Sequence, residues 1–284
     1  MMQPTYHASR ASARFRTMTL SRSPRGSRIL TMACAIGVLL LAGHARSASA
    51  QPVVEAMSAG DRESAARRPV QALSQFERVL QQDPKNYAAL WKASRELVDL
   101  GEYETNVAAR TALYARATEF ARRAITVMPN DAEGHFHLSR ALGRTAQALG
   151  PRDRVKYGID VRSEAMRALE LSPRHPGALH VMGVWNAEIM RLNGFSRLVA
   201  KTFLGGKIFD TASWSEAVRF MEQSVAVEPN RLVHRLDLAR VYRDTGRKAD
   251  ARTAYAAAIA SPLADANDER YRADAQAELS KLGK

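Results

Sequence analysis

The chain has 284 residues, with 42 lysines and arginines against 29 aspartates and glutamates, a formal net charge of +13 and one cysteine. A single cysteine excludes a disulfide framework, and 46% hydrophobic residues suffice for a sizeable core. Residues 1–50 carry seven of the arginines and no acid, so 35 basic and 29 acidic residues remain beyond them, net +6 with signs interspersed. That balance argues against nucleic acid as a partner.

The first fifty residues read as a leader. Residues 1–28 hold six arginines, an apolar run follows from Ile29 to Gly43, and Ala48-Ser49-Ala50 precedes Gln51. A basic stretch, an apolar stretch of 15 residues and an A-x-A end have the order of a secretory signal peptide. The run falls short of the roughly 20 residues that cross a bilayer. Cleavage is expected after Ala50, and the product is expected to be exported, either periplasmic or secreted. Met18 is an alternative start that would leave residues 1–17 untranslated. Cys34 lies inside the apolar run, so the exported chain would have no thiol.

From residue 51 onward the chain repeats itself. Ala72, Phe76 and Val79 are followed by Pro84; near the other end come Leu238, Ala239, Tyr242 and Gly246, then Ala251, Tyr255 and Ala258. Small residues beside an aromatic at helical spacing allow two helices to approach closely, and such units bury their apolar faces only by stacking. Pro84, Pro129, Pro173 and Pro229 punctuate the units, since proline cannot continue a helix. The intervals of 45, 44 and 56 residues exceed the roughly 34 of a tetratricopeptide unit. The excess is expected between the helices of each pair, at Gly101–Val107, Gly150–Arg154 and Phe195–Ser213. Leu90, Ala93, Leu97 and Leu100 form one stripe, and Leu138, Leu142 and Leu149 another. Asn267 is expected to cap a final helix over 267–282, with Tyr271, Ala275, Leu279 and Leu282 on one face. The fold expected for 51–284 is all-α, a tetratricopeptide-like α-α superhelix of about nine to eleven helices with long inter-helix insertions.

Met182-Gly183-Val184-Trp185, the segment from Phe195 through Phe203 to Gly206, and Ala217 to Pro229 together resemble the regulator of microtubule dynamics family. The resemblance runs over most of residues 85–284, and the G-x-W followed by a basic, apolar insertion is its most specific part. It implies a non-enzymatic tetratricopeptide protein, here an exported bacterial-type member, in a family whose members act as organelle-contact adaptors and lipid binders.

Counting from each proline places candidate groove residues. The fifth positions of the first helices are Trp91, Phe136, His180 and Leu236, and the ninth are Arg95, Arg140, Val184 and Arg240. Residues four apart share a helix face, so an aromatic row should run beside an arginine row. Guanidinium forks bind carboxylate or phosphate, and aromatics add apolar area. The candidate groove is therefore Trp91, Arg95, Phe136, Arg140, His180 and Arg240. A second candidate contact is the insertion, where Phe195, Leu198, Val199 and Phe203 share a face with Arg197 and Lys201 around it. It reads either as an added core helix or as a lid or membrane-surface contact.

Other chemistry is not supported by the spacing. His135 and His137 point to different helix faces and His175 precedes a proline turn, so no metal set converges. No serine sits in a glycine-flanked elbow, and Gly205-Gly206-Lys207 lacks the first glycine of a phosphate loop. No catalytic residue, cofactor or metal is expected. The expected role is a scaffold for a protein or peptide partner, membrane-associated partners included; the alternative is a carrier for an anionic amphiphile such as a phospholipid.

Overall fold

Helix follows helix in the computed structural model, which describes residues 51–149, 151–192 and 206–283. Helix α1 (residues 51–65) packs on α2 (Pro69–Gln82), α3 (Tyr87–Tyr103) on α4 (Val107–Val127), and α5 (Ala132–Gln147) on α6 (Pro151–Leu171). Next, α7 (Pro176–Arg191) pairs with α8 (Trp214–Val227) and α9 (Leu232–Asp244) with α10 (Lys248–Ala260), and α11 (Asp268–Leu282) ends the series. The described residues contain these eleven α-helices, a 3-10 turn at Gly206–Thr211, and no strand. The all-α superhelix of hairpins is thus the architecture.

Local chemistry sets the helix limits. The side chains of Asn86, Asn106, Asp131, His175 and Ser213 each accept a main-chain N–H in the first turn of the helix that follows, satisfying a donor that the helix leaves orphaned. The tightest hairpins use a left-handed residue. Arg67 (φ 61°) and Gly246 (φ 78°) each let two successive N–H groups bond back to the preceding helix, Arg68 to Glu63 and Arg67 to Ser64, Arg247 to Tyr242 and Gly246 to Arg243.

The repeated small and aromatic positions become the seams between helices. Ala72, Phe76 and Val79 on α2 are fully buried, as are Ala251, Tyr255 and Ala258 on α10. Three apolar clusters run along the superhelix: one around Phe76 and Leu90, one around Trp185 and Phe209, and one around Leu236 and Tyr255.

Several expectations are corrected. Much of the length beyond a standard unit lies within helices: α4 and α6 each run 21 residues, Gly101 is inside α3, and Pro151 opens α6. Long amphipathic helices bury more stripe than a loop of equal length could. Leu149 falls past the end of α5, outside its stripe. Asn267 precedes α11 without capping it through its side chain. Instead, the Asp268 carboxylate accepts the N–H groups of Ala264 and Asp265 at 2.7 Å. The leader at 1–50, and Phe195, Arg197, Leu198, Lys201 and Phe203 of the insertion, lie outside the described residues. Phe209, at the end of that stretch, is buried and stacked on Trp185, ring centres 6.0 Å apart.

Helix α11 does more than close an end. Its apolar face, with Ala275 buried and Tyr271, Leu279 and Leu282 partly so, packs on the α9–α10 pair. Its first turn reaches across the superhelix to the end of α3. Asn267 Nδ2 donates to Glu102 at 2.8 Å, Tyr271 donates its hydroxyl proton to Glu102, and Arg270 donates to the Glu102 carbonyl at 3.0 Å. Arg67 pairs with Glu269 at 3.1 Å beside this contact.

Candidate ligand groove

The first helices of successive pairs, α3, α5, α7 and α9, face a common cavity of about 970 Å3 whose lining also includes Tyr271 of α11. Trp91 and Arg95 come to it from α3, Phe136 and Arg140 from α5, His180 and Val184 from α7, and Arg240 from α9. All six groove candidates therefore border one space. Leu236 does not: it is fully buried in the last apolar cluster, and Val233 and Asp237 occupy the wall at that level. In α9 the fifth position has rotated into the core, because α10 and α11 cover that face.

The aromatic wall is a ladder of rings. Trp91 stacks on His137 at 5.2 Å with planes 8° apart; His137 tilts against Phe136 at 4.6 Å; Phe136 in turn meets His175 at 4.6 Å. Further along, His180 stacks on His234 at 4.6 Å. Phe136 can lie against the start of α7 because position 177 is glycine: a Cβ there would sit 2.4 Å from the ring.

Hydrogen bonds fix the imidazole tautomers. His175 Nδ1 accepts the Ala178 N–H, so its proton is on Nε2, 3.3 Å from Glu133. Ser224 donates its only hydroxyl proton to the Pro176 carbonyl, so His234 Nδ1, 2.9 Å from the same oxygen, must be the donor. His180 Nε2 lies 2.8 Å from Asp237 Oδ2.

Glu133 sits between two imidazoles, His137 at 3.5 Å and His175 at 3.3 Å. Burial alone would raise its pKa, but hydrogen bonds from both rings outweigh this and hold it well below the usual range. Asp237 is balanced the same way: burial opposes ionisation, while His180 and Arg240 favour it more strongly, so its pKa is lowered. His137 is pushed down to about 4 by burial, against the pull of Glu133.

The arginine row is not free. Arg95 bonds Ser64 at 2.6 Å and Glu96 at 2.9 Å, Arg140 bonds Asp99 at 2.5 Å, and Arg240 bonds Glu278 at 2.6 Å and Asp237 at 3.0 Å. Arg144, one turn beyond Arg140, pairs with Glu102 at 2.6 Å. The expected strip of open positive charge is thus a lattice of alternating signs. The carboxylates come from neighbouring helices and escaped the count. Asp99, for instance, is 41 positions before Arg140, a distance just short of one repeat interval. An acid one turn past the ninth position of the preceding unit was the one available signal. His137, His175 and His234 were equally hidden, because only the stacking of pairs turns them inward.

Among the described residues no group of three or more His, Cys, Asp or Glu side chains is arranged to hold a metal, and no helix is long and apolar enough to cross a membrane.

Comparison with known proteins places these features in a family. The family described as Regulator of microtubule dynamics protein 1-3 matches residues 54–283. Mouse regulator of microtubule dynamics protein 1 is 20% identical over 142 residues, 50% of this chain and 46% of the relative. Mouse regulator of microtubule dynamics protein 3 is 20% identical over 164 residues, 57% of this chain and 34% of the relative. The chain thus spans less than half the length of these relatives. Among solved structures, a thermophilic tetratricopeptide protein of Thermus thermophilus superposes with a TM-score of 0.58 at 23% identity, covering 79% of this chain and 99% of that one. That likeness concerns the fold.

Proposed function

This chain belongs to the regulator of microtubule dynamics protein 1-3 family, and from that premise we propose that it is a non-catalytic scaffold whose groove receives an extended polypeptide segment of a partner protein. The observation that carries the reading is the pairing inside the groove. Arg95, Arg140 and Arg240 each hold a carboxylate beside a ladder of stacked rings. A polypeptide offers N–H and C=O groups and side chains of both signs, which extend such an alternating lattice without dismantling it. The stacked rings supply apolar anchor sites of the kind that dominate binding energy.

The groove could serve an anionic amphiphile instead, a reading supported by the apolar wall of Val161, Val184, Trp185 and Ile189. Its phosphate would have to compete with Asp99, Asp237 and Glu278 for the guanidinium groups, which disfavours it. An exported location is part of the proposal and rests on residues 1–50. N-terminal sequencing of the mature protein should begin at Gln51.

One experiment separates the readings. A photo-crosslinking amino acid in place of Val184, half-buried in the groove wall, should form an adduct in the producing cells with a segment of one defined protein, identified by mass spectrometry. Adducts confined to lipid would transfer the function to the carrier reading. Absence of any adduct at Val184, alongside adducts at an exposed control position, would overturn the groove as the binding face.

A further inference from the structure

Charge is unevenly matched in the groove. Among the described residues, every arginine that borders it, apart from the exposed Arg174, lies within 2.8 Å of a carboxylate oxygen. The carboxylates are not all matched in return. Glu133 at the start of α5 and Glu228 just past α8 both border the groove, and among the described residues only imidazoles lie within ion-pair distance of them. Glu133 faces His137 and His175, and Glu228 faces His234 at 3.8 Å. Their side chains are 39% and 42% exposed, so a ligand can reach both.

Those imidazoles supply no counter-charge at neutral pH. Burial keeps His137 and His234 neutral. His175 accepts the Ala178 N–H on Nδ1, and a proton there would break the cap of α7. The positive end of α5 is already engaged by Asp131, whose carboxylate accepts the Glu133 N–H. Glu133 is therefore an ionised group without a counterion.

The ring beside it is open as well. Phe136 meets His137 and His175, the two rings that flank Glu133, at 4.6 Å each, and it borders the cavity. Trp91 has Lys92 and Arg95 over its ring at 5.5 and 5.7 Å, whereas among the described residues no cation lies over Phe136. An ionised carboxylate next to an uncovered aromatic ring suits an ammonium or guanidinium group. An acidic segment would instead meet Glu133 and Glu228 unscreened, and would have to take the other guanidinium groups from their carboxylates.

We propose, resting on the scaffold reading, that the segment the groove receives is basic, with a lysine or arginine side chain seated against Glu133 and Phe136 and a second at Glu228. The chain beyond residue 50 is net +6, so the preference is local and runs against the charge of the whole.

The test is fluorescence anisotropy of the full chain with three labelled peptides that share one leucine, tyrosine and serine framework. They differ in carrying lysines, glutamates or further serines at the same positions. The lysine peptide should bind at least about tenfold tighter than either of the others. Non-specific attraction to a basic chain would favour the glutamate peptide, so the expected order is not a bulk charge effect. Glu133→Gln, which keeps an acceptor for both rings, should weaken the lysine peptide about tenfold, and Glu228→Gln about threefold. Glu55→Gln, an exposed charge removal on α1, should leave it unchanged. Equal affinities, preference for the glutamate peptide, no binding of any peptide, or lysine-peptide binding that survives both Glu133→Gln and Glu228→Gln would overturn the basic segment. Protein adducts at Val184 alongside any of those results would leave the scaffold reading standing, so the two failures are distinguishable.

Discussion

Tyr271 of α11 donates its hydroxyl proton to Glu102 at the end of α3, across 169 positions of sequence. Glu102 also receives Asn267 and Arg144, so one carboxylate joins the end of the superhelix to its second and third helix pairs. Tyr271→Phe removes one charge-assisted hydrogen bond and should cost about 1–3 kcal/mol. Glu102→Ala leaves Arg144 without its carboxylate in a largely buried site and should cost about 3–5 kcal/mol. Urea unfolding measures both. Amide exchange over 268–282 should accelerate in Tyr271→Phe more than exchange over 87–100; equal acceleration would show that Tyr271 does not latch α11.

Two glycines that border the groove should respond in opposite ways to alanine. At position 177 the added methyl would lie 2.4 Å from the Phe136 ring, which is held between His137 and His175. Gly177→Ala should therefore destabilise by about 1–3 kcal/mol. At position 143, inside α5, the nearest atom is 4.0 Å away on Val161. Gly143→Ala should stabilise by roughly 0.5–1 kcal/mol through reduced backbone entropy of the unfolded chain. Thermal melts of the two variants check the contrast.

Acidification acts on the groove through His137. Burial lowers its pKa from 6.5 to about 4, so between those values the unfolded chain binds a proton that the folded chain refuses, and stability falls as the pH falls. His234, also lowered by burial, acts in the same direction. Asp265, raised by burial from 3.8 to about 6, opposes them: the folded chain binds its proton first, so acidification between 6 and 3.8 adds stability. Glu96, raised by burial, opposes them as well. His137→Phe removes this contribution together with the contact that His137 makes with Glu133. Going from pH 7 to 4.5, the variant should lose about 2–3 kcal/mol less stability than the parent chain. Parallel pH profiles would refute the neutral, buried His137.

The two left-handed turn residues make a pair of reciprocal tests. Gly246→Ala places a Cβ at φ 78° and should cost about 1–2 kcal/mol. Arg67 already carries that strain at φ 61°, and its salt bridge is with a Glu269 side chain that is 72% exposed, a weak contact. Arg67→Gly should consequently be neutral or stabilising in urea unfolding, and a loss above about 1 kcal/mol would assign the Arg67–Glu269 pair a larger role in closure.

Whatever depends on neighbours along the chain is legible in the residues alone. Ala72, Phe76 and Val79, with their counterparts Ala251, Tyr255 and Ala258, specified helix seams, because a 3.6-residue period fixes which side chains share a face. The same period put Trp91 beside Arg95 and Phe136 beside Arg140 on faces that do meet one cavity. What those groups meet there depends on how the helix pairs stack. Asp99 reaches Arg140 from another helix, Leu236 turns into the core under α10 and α11, and His137, His175 and His234 become a wall only when pairs stack. The closure through Glu102 and Tyr271 lies further still from any local signal. Helical periodicity encodes the face of a residue, whereas the charge it meets there is set by superhelical curvature, which brings together positions one repeat or a whole chain apart.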